Sequence, residues 1–181
     1  MGEGQFDLAL SDYDKAIALD PNYAETYYNR AHLYLENGQP ALAFTDYNTA
    51  IEKNPGYGSA YAARGIIRMK RGEYADSIND YKEALQSDPN NSSIYCNLCN
   101  AELLNKEPDK ALADCEIAIR LDPNNVVAHQ NRSKVKIAKG DLAGAASDIQ
   151  TALRINPSNN DSKSILELIR QAERGEVRFV Y

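Results

Sequence analysis

Proline recurs at Pro21, Pro55, Pro89, Pro123 and Pro157, four equal intervals of 34 residues. Most of these prolines follow an acid or amide, as in "LDPN", "KNPG" and "SDPN". Proline ends the helix before it and its fixed φ suits a turn, so the five sites read as helix exits. A fixed period of this length means one supersecondary unit repeated along the chain.

The same register aligns other columns. Ala16, Ala50, Ala84, Ala118 and Ala152 are 34 apart, and so are Asp12, Asp46, Asp80, Asp114 and Asp148. Ala9, Ala43, Ser77, Ala111 and Ala145 form a second small-residue column. Gly4, Gly38, Gly72 and Gly140 mark a tight turn inside the unit, with Lys106 as the exception. Tyr13, Tyr47 and Tyr81 continue as Cys115 and Ile149.

In "YYNRAHLYLENGQPALAFTDYNTAIEKNP" and its three successors the chain resembles the tetratricopeptide repeat family, and the resemblance covers essentially its whole length. The family's first aromatic appears as Tyr27, Tyr61, Tyr95 and His129. Its Leu-Gly pair is replaced by Arg30-Ala31, Arg64-Gly65, Leu98-Cys99 and Arg132-Ser133. The resemblance implies an all-α fold: an α-solenoid, a right-handed superhelix of stacked helix-turn-helix units with a C-terminal capping helix. The expected divisions are the second helix of an incomplete repeat over 1–23, then repeats over 24–57, 58–91, 92–125 and 126–159. A capping helix and tail occupy 160–181. First helices are expected near 25–37, 59–71, 93–105 and 127–139, and second helices near 40–53, 74–87, 108–121 and 142–155. Because residues 6–19 match only a second helix, the sequence begins within a repeat and reads as a fragment or a shortened array. The closing "VRFVY" is extended in character and is expected to pack on the cap or reach a neighbour.

A net charge of −6, with no basic tract, argues against nucleic acid as a partner. No apolar run approaches the roughly 18 residues that span a membrane. The three cysteines, an odd number, read as reduced thiols. A cytoplasmic location follows from that reading. "CNLC" at Cys96–Cys99 has the look of a metal or redox motif, but its second cysteine falls in a core column, as does Cys115. Both are therefore expected to be inert buried thiols, with Cys96 alone facing the groove. No catalytic constellation, phosphate loop or dinucleotide fingerprint is present, so no enzyme activity, cofactor or metal is expected.

In the family the first helices line the concave face. By resemblance, the peptide-binding positions are Tyr28, Asn29 and His32 in the first full repeat, Ile66 in the second, Asn97 and Asn100 in the third, and Gln130, Asn131 and Lys134 in the fourth. Asparagine recurs at Asn29, Asn97 and Asn131, and an amide offers both a donor and an acceptor to a peptide backbone. The lysine and arginine clamp that some relatives use for a terminal carboxylate is not expected, since Lys134 is the only clear cation at these positions.

Adjacent helical residues point about 100° apart, so Arg30 does not share a face with Asn29. Arg30, Arg64 and Arg132 are expected to pair with the aspartate column, in their own repeat or the preceding one. Leu98 leaves the third repeat without that arginine. The reading is an interaction scaffold that holds a partner's peptide segment in its groove. Alternatives are a structural self-assembly element, associating through the N-terminal helix and the C-terminal tail, and a regulatory fragment of a larger enzyme.

Overall fold

The computed structural model describes residues 3–177, and among them are ten helices and no strand. They are α1 (Glu3–Leu19), α2 (Ala24–Glu36), α3 (Pro40–Lys53), α4 (Gly58–Arg71), α5 (Tyr74–Ser87), α6 (Ser92–Leu104), α7 (Pro108–Leu121), α8 (Val126–Ala138), α9 (Leu142–Ile155) and α10 (Asn160–Glu173). First helices begin one residue earlier than the sequence suggests, and second helices span the expected ranges. The helices form two compact units, the first ending at Pro89 and the second beginning at Asn90.

Local chemistry sets the helix ends. Pro40 and Pro108 open α3 and α7, where a missing N–H leaves no hydrogen bond unmade. Asn91, Asn125, Asp141 and Asn159 cap α6, α8, α9 and α10, each side chain accepting from a backbone N–H three residues on. Gly38, Gly72 and Gly140 take φ values of 71°, 77° and 81° in the turns between paired helices. Lys106 takes φ 62° at the equivalent turn, in a region that side chains disfavour. Gly4 departs from its expected turn role: it lies inside α1.

In the first unit, Tyr27 and Ala31 of α2, Ala43, Tyr47 and Ala50 of α3, and Ala60 and Ile67 of α4 form the core. Small residues let paired helices approach. A Cβ on Gly65 would lie 2.8 Å from the Tyr81 ring, so in the column of Ala31, Gly65, Cys99 and Ser133 this position is kept bare by the ring that faces it. In the second unit, Ile137, Ala145 and Ile149 pack against Ile169, which brings the capping helix α10 onto α8 and α9.

The cysteines correct two expectations. Cys99 and Cys115 are joined in a disulfide between α6 and α7, not kept as reduced thiols. The register explains the pairing: these columns hold Gly65 and Tyr81 in the second repeat, a pair already in contact there. Cys96 does not face the groove. It is buried with Ala118 and Ala128, and burial pushes its thiol up to about 11. The cysteine argument for a reducing compartment thereby loses two of its three thiols.

Candidate functional site

The arginines resolve first, because they settle which polar residues belong to the scaffold. Arg30 grips Asp46 with Nε at 2.6 Å and Nη2 at 2.8 Å, Arg64 grips Asp80 at 3.0 and 2.6 Å, and Arg132 bonds Asp148 through Nε at 2.9 Å. Each pair lies within one repeat. The third guanidinium nitrogen reaches back to the preceding second helix, from Arg30 to Asp14 and from Arg64 to Asn48. The planar fork therefore fixes both the pairing within a repeat and the stacking on the one before it.

A second cation joins two of these clamps. Arg68 lies 2.8 Å from Asp80 and Lys136 lies 2.9 Å from Asp148. Burial opposes ionisation of Asp148, but hydrogen bonds from Arg132 and Lys136 outweigh it and hold the carboxyl below the usual carboxylate range. The hydrogen bonds that Arg30 donates to Asp46 raise its guanidinium further above its ordinary value. In the third repeat the arginine position is Leu98, the second cation position is the buried Glu102, and Asp114 is half-buried where Asp46, Asp80 and Asp148 are buried.

The residues expected to contact a peptide divide between the two units. In the first, Tyr28, Asn29 and His32 lie on α2 and Ile66 on α4. The Tyr28 ring sits 4.6 Å from His32, 5.8 Å from Tyr47 and 5.0 Å from Tyr57, centroid to centroid. This aromatic patch lowers the His32 pKa through burial, favouring neutral imidazole. Ile66 stands exposed on α4.

In the second unit, Asn97 and Asn100 are half-buried on α6 and Lys134 is exposed on α8. Gln130 and Asn131 are buried. The Gln130 amide donates to Asn159 Oδ1 and Ser162 Oγ, both at 2.9 Å, and so ties α8 to the start of α10. The Asn131 amide donates to the Cys96 carbonyl at 3.0 Å and ties α8 to α6. The donors of these two side chains are engaged by the scaffold, while Asn29 of the first unit keeps greater access to solvent.

Sequence reasoning missed one feature of this unit. Leu103, Leu104, Lys106, Lys134, Ile165 and Leu168 line a groove of about 590 Å³ formed by α6, α8 and α10. The signal was the break in the glycine column at Lys106, whose position on the groove only the folded unit shows. Among the described residues no group of histidine, cysteine and acidic side chains is arranged to hold a metal ion, and no helix is long and apolar enough to cross a membrane.

Paired antiparallel helices of fixed length, with a repeated clamp and an unpartnered capping helix, define an α-solenoid. Models of the tetratricopeptide repeat match residues 24–57 and 92–125, and a longer TPR repeat model matches 2–38 and 67–106. The chain belongs to the tetratricopeptide repeat family.

No curated protein matches the chain. Among solved structures, MamA is similar with 24% identity over 86% of this chain and 91% of that one, at a TM-score of 0.78. YrrB, described as a TPR protein with an unusual peptide-binding site, is 21% identical over 91% of this chain and 84% of its own, with a TM-score of 0.75. The first TPR domain of Spaghetti (RPAP3), bound to an HSP90 peptide, is 26% identical over 65% of this chain and 93% of that one, with a TM-score of 0.61.

Proposed function

We propose that the chain is a non-catalytic interaction scaffold that takes a peptide segment of a partner protein against its first helices. The observation that carries this is what the first helices hold, each unit taken by itself: half-buried amides together with half-buried or exposed apolar and aromatic side chains. Asn29, Asn97 and Asn100 offer both donors and acceptors, and Tyr28, His32 and Ile66 offer apolar contact. Within the second unit the exposed Lys134 supplies a cation, while Gln130 and Asn131 hold α8 in place. The similar Spaghetti domain carries a peptide, which supports the same use of the fold here. The division into repeats at 24, 58, 92 and 126, with the cap from 160, is part of this reading.

A photocrosslinker placed at Ile66 or Asn97 should capture the partner segment, and the same group at Glu83 on α5 should not. Equal capture from all three positions would reject a first-helix site. A cytoplasmic place of action is compatible with this reading only where the Cys99–Cys115 bond is kept reduced, and thiol titration of protein taken directly from cells tests that.

A second reading, self-association, has an observation of its own. Leu8 and Leu19 of α1 are 69% and 88% exposed, an apolar surface that a second copy of the chain would cover. Of the tail proposed to assist it, residues 178–181 lie outside the described residues. Light scattering over a range of concentrations distinguishes the two: a mass that stays monomeric when Leu8→Asp is compared with the parent removes this reading.

A further inference from the structure

We infer that the groove between α6, α8 and α10 is a second-unit docking site for an acidic partner segment that carries two or three bulky apolar side chains. This inference rests on the scaffold reading above and names the chemistry of the segment that one part of the scaffold prefers.

The lining of the groove is mostly apolar. Leu104 and Leu168 are 44% and 46% exposed, on α6 and α10, and both border the same groove beside Leu103 and Ile165. Its volume of about 590 Å³ falls in the range that encloses a compact ligand or a few side chains. Leu104 and Leu168 reach this open groove from α6 and α10 and belong to neither core cluster beside it, whereas Leu103 and Ile165 also pack on the cores of Val135 and Ile137.

The charged part is the rim. Lys106 and Lys134 border the groove and no acidic residue lines it. Among the described residues neither ammonium has an ion-pair partner, whereas nearby Lys139 is paired with Asp109. The chain as a whole carries −6, so its long-range field repels an acidic segment. At physiological salt that field is screened beyond about 8 Å, and the local lysine pair decides the contact. An acidic segment gains attraction here, and a basic one meets two like charges.

Lys106 adds an independent observation. Its φ of 62° lies in the left-handed region, where the three equivalent turns place glycine. Glycine would hold this turn with less strain. A lysine kept in a conformation that disfavours side chains, at the rim of an apolar groove, points to a use for its ammonium group.

The test is fluorescence polarisation with three labelled synthetic peptides on the full chain. The first interleaves glutamate with leucine and phenylalanine, the second replaces its acids by lysine, and the third replaces its apolar residues by serine. The first should bind, and the other two should bind at least about tenfold more weakly. Lys134→Glu and Leu168→Asp, each with an unchanged helical circular dichroism spectrum, should each weaken the first peptide about tenfold, and added salt should weaken it further.

Binding that is indifferent to Lys134→Glu, or no binding of the first peptide at all, overturns the inference. Binding lost on Ile66→Asp but not on Leu168→Asp also overturns it, yet leaves the scaffold reading standing with its site in the first unit. Binding that emerges only after deletion of residues 178–181 assigns the groove to the chain's own tail, and a dimer that dissociates on Leu168→Asp assigns it to a second copy. Either result overturns the partner segment proposed here.

Discussion

In the repeat built from α4 and α5, Arg64 and Arg68 close on Asp80, and Gly65 lies under the Tyr81 ring. In the repeat built from α6 and α7, the two cation positions are Leu98 and Glu102, and the glycine and tyrosine positions are the bonded pair Cys99 and Cys115. One helix pair is held by a buried ionic clamp, the other by a covalent link. The clamp also reaches beyond its own repeat, through Arg64 to Asn48 on α3. The disulfide joins only α6 to α7. An ionic clamp can therefore transmit position from one repeat to the next, while a covalent link fixes one pair and makes it answer to the redox state of its surroundings.

The most severe break of the comparison is Asp80→Ala. The carboxyl is almost fully enclosed, and Arg64 and Arg68 are only 14% and 19% exposed, so both guanidinium groups lose a buried counter-ion together. The expected loss is about 3–5 kcal/mol by urea denaturation, with hydrogen exchange quickening first in α4 and α5. A loss under about 1 kcal/mol would mean that water reaches the clamp and that the register is held by packing alone.

Reduction of the disulfide comes next. The bond closes a loop of 16 residues, and the chain-entropy account gives about 3 kcal/mol for a loop of this length. Because repeat proteins open locally, the loss should appear as faster amide exchange confined to α6 and α7. Exchange that quickens equally in α4 and α5 after reduction would show that the two repeats are not held independently.

The pattern of what was legible follows from the same contrast. The 34-residue register located every helix, because proline, alanine and glycine act through backbone geometry that is local in sequence. It also placed each arginine on the side of the aspartate column, since both columns repeat. It did not reveal the disulfide. Reading Cys99 and Cys115 as members of separate core columns obscured that the two columns touch, a fact that Gly65 and Tyr81 express only in three dimensions. The inward turn of Cys96 was hidden for a similar reason: α7 and α8 meet over it. Asn131 and Gln130 looked equivalent to other groove amides, yet their partners come from α6 and from the start of α10, elements 29 to 35 residues away in the chain.

Arg64→Ala sharpens the ionic half of the comparison at smaller scale. Arg68 stays 2.8 Å from Asp80, so the carboxylate keeps one cation and the loss should be about 1.5–3 kcal/mol, the range for hydrogen bonds to a charged group. Arg30→Ala should cost more, because Asp46 has no second cation of this kind: Tyr34 occupies the position of Arg68. Thermal denaturation of the two variants side by side decides it, and an Arg64→Ala loss equal to or above that of Arg30→Ala would deny Arg68 its supporting role.

The smallest expected change has the opposite sign. Lys106→Gly relieves a left-handed backbone angle of 62° at a turn that the other repeats build with glycine. The unfolded chain gains freedom with the new glycine, which offsets part of the relief, so the net gain should be about 0.5–1 kcal/mol in the second unit. The same substitution removes one of two cations at the groove of α6, α8 and α10. Stability and affinity for an acidic peptide should therefore move in opposite directions in a single variant, measured by urea midpoint and by polarisation. Lys106→Asn separates the two contributions. Asparagine tolerates the left-handed region better than lysine, so it should recover part of the stability, and it lacks the charge, so it should lose affinity as glycine does. A variant that gains stability and keeps its affinity would show that Lys106 is a tolerated departure from glycine and that the groove relies on Lys134 alone.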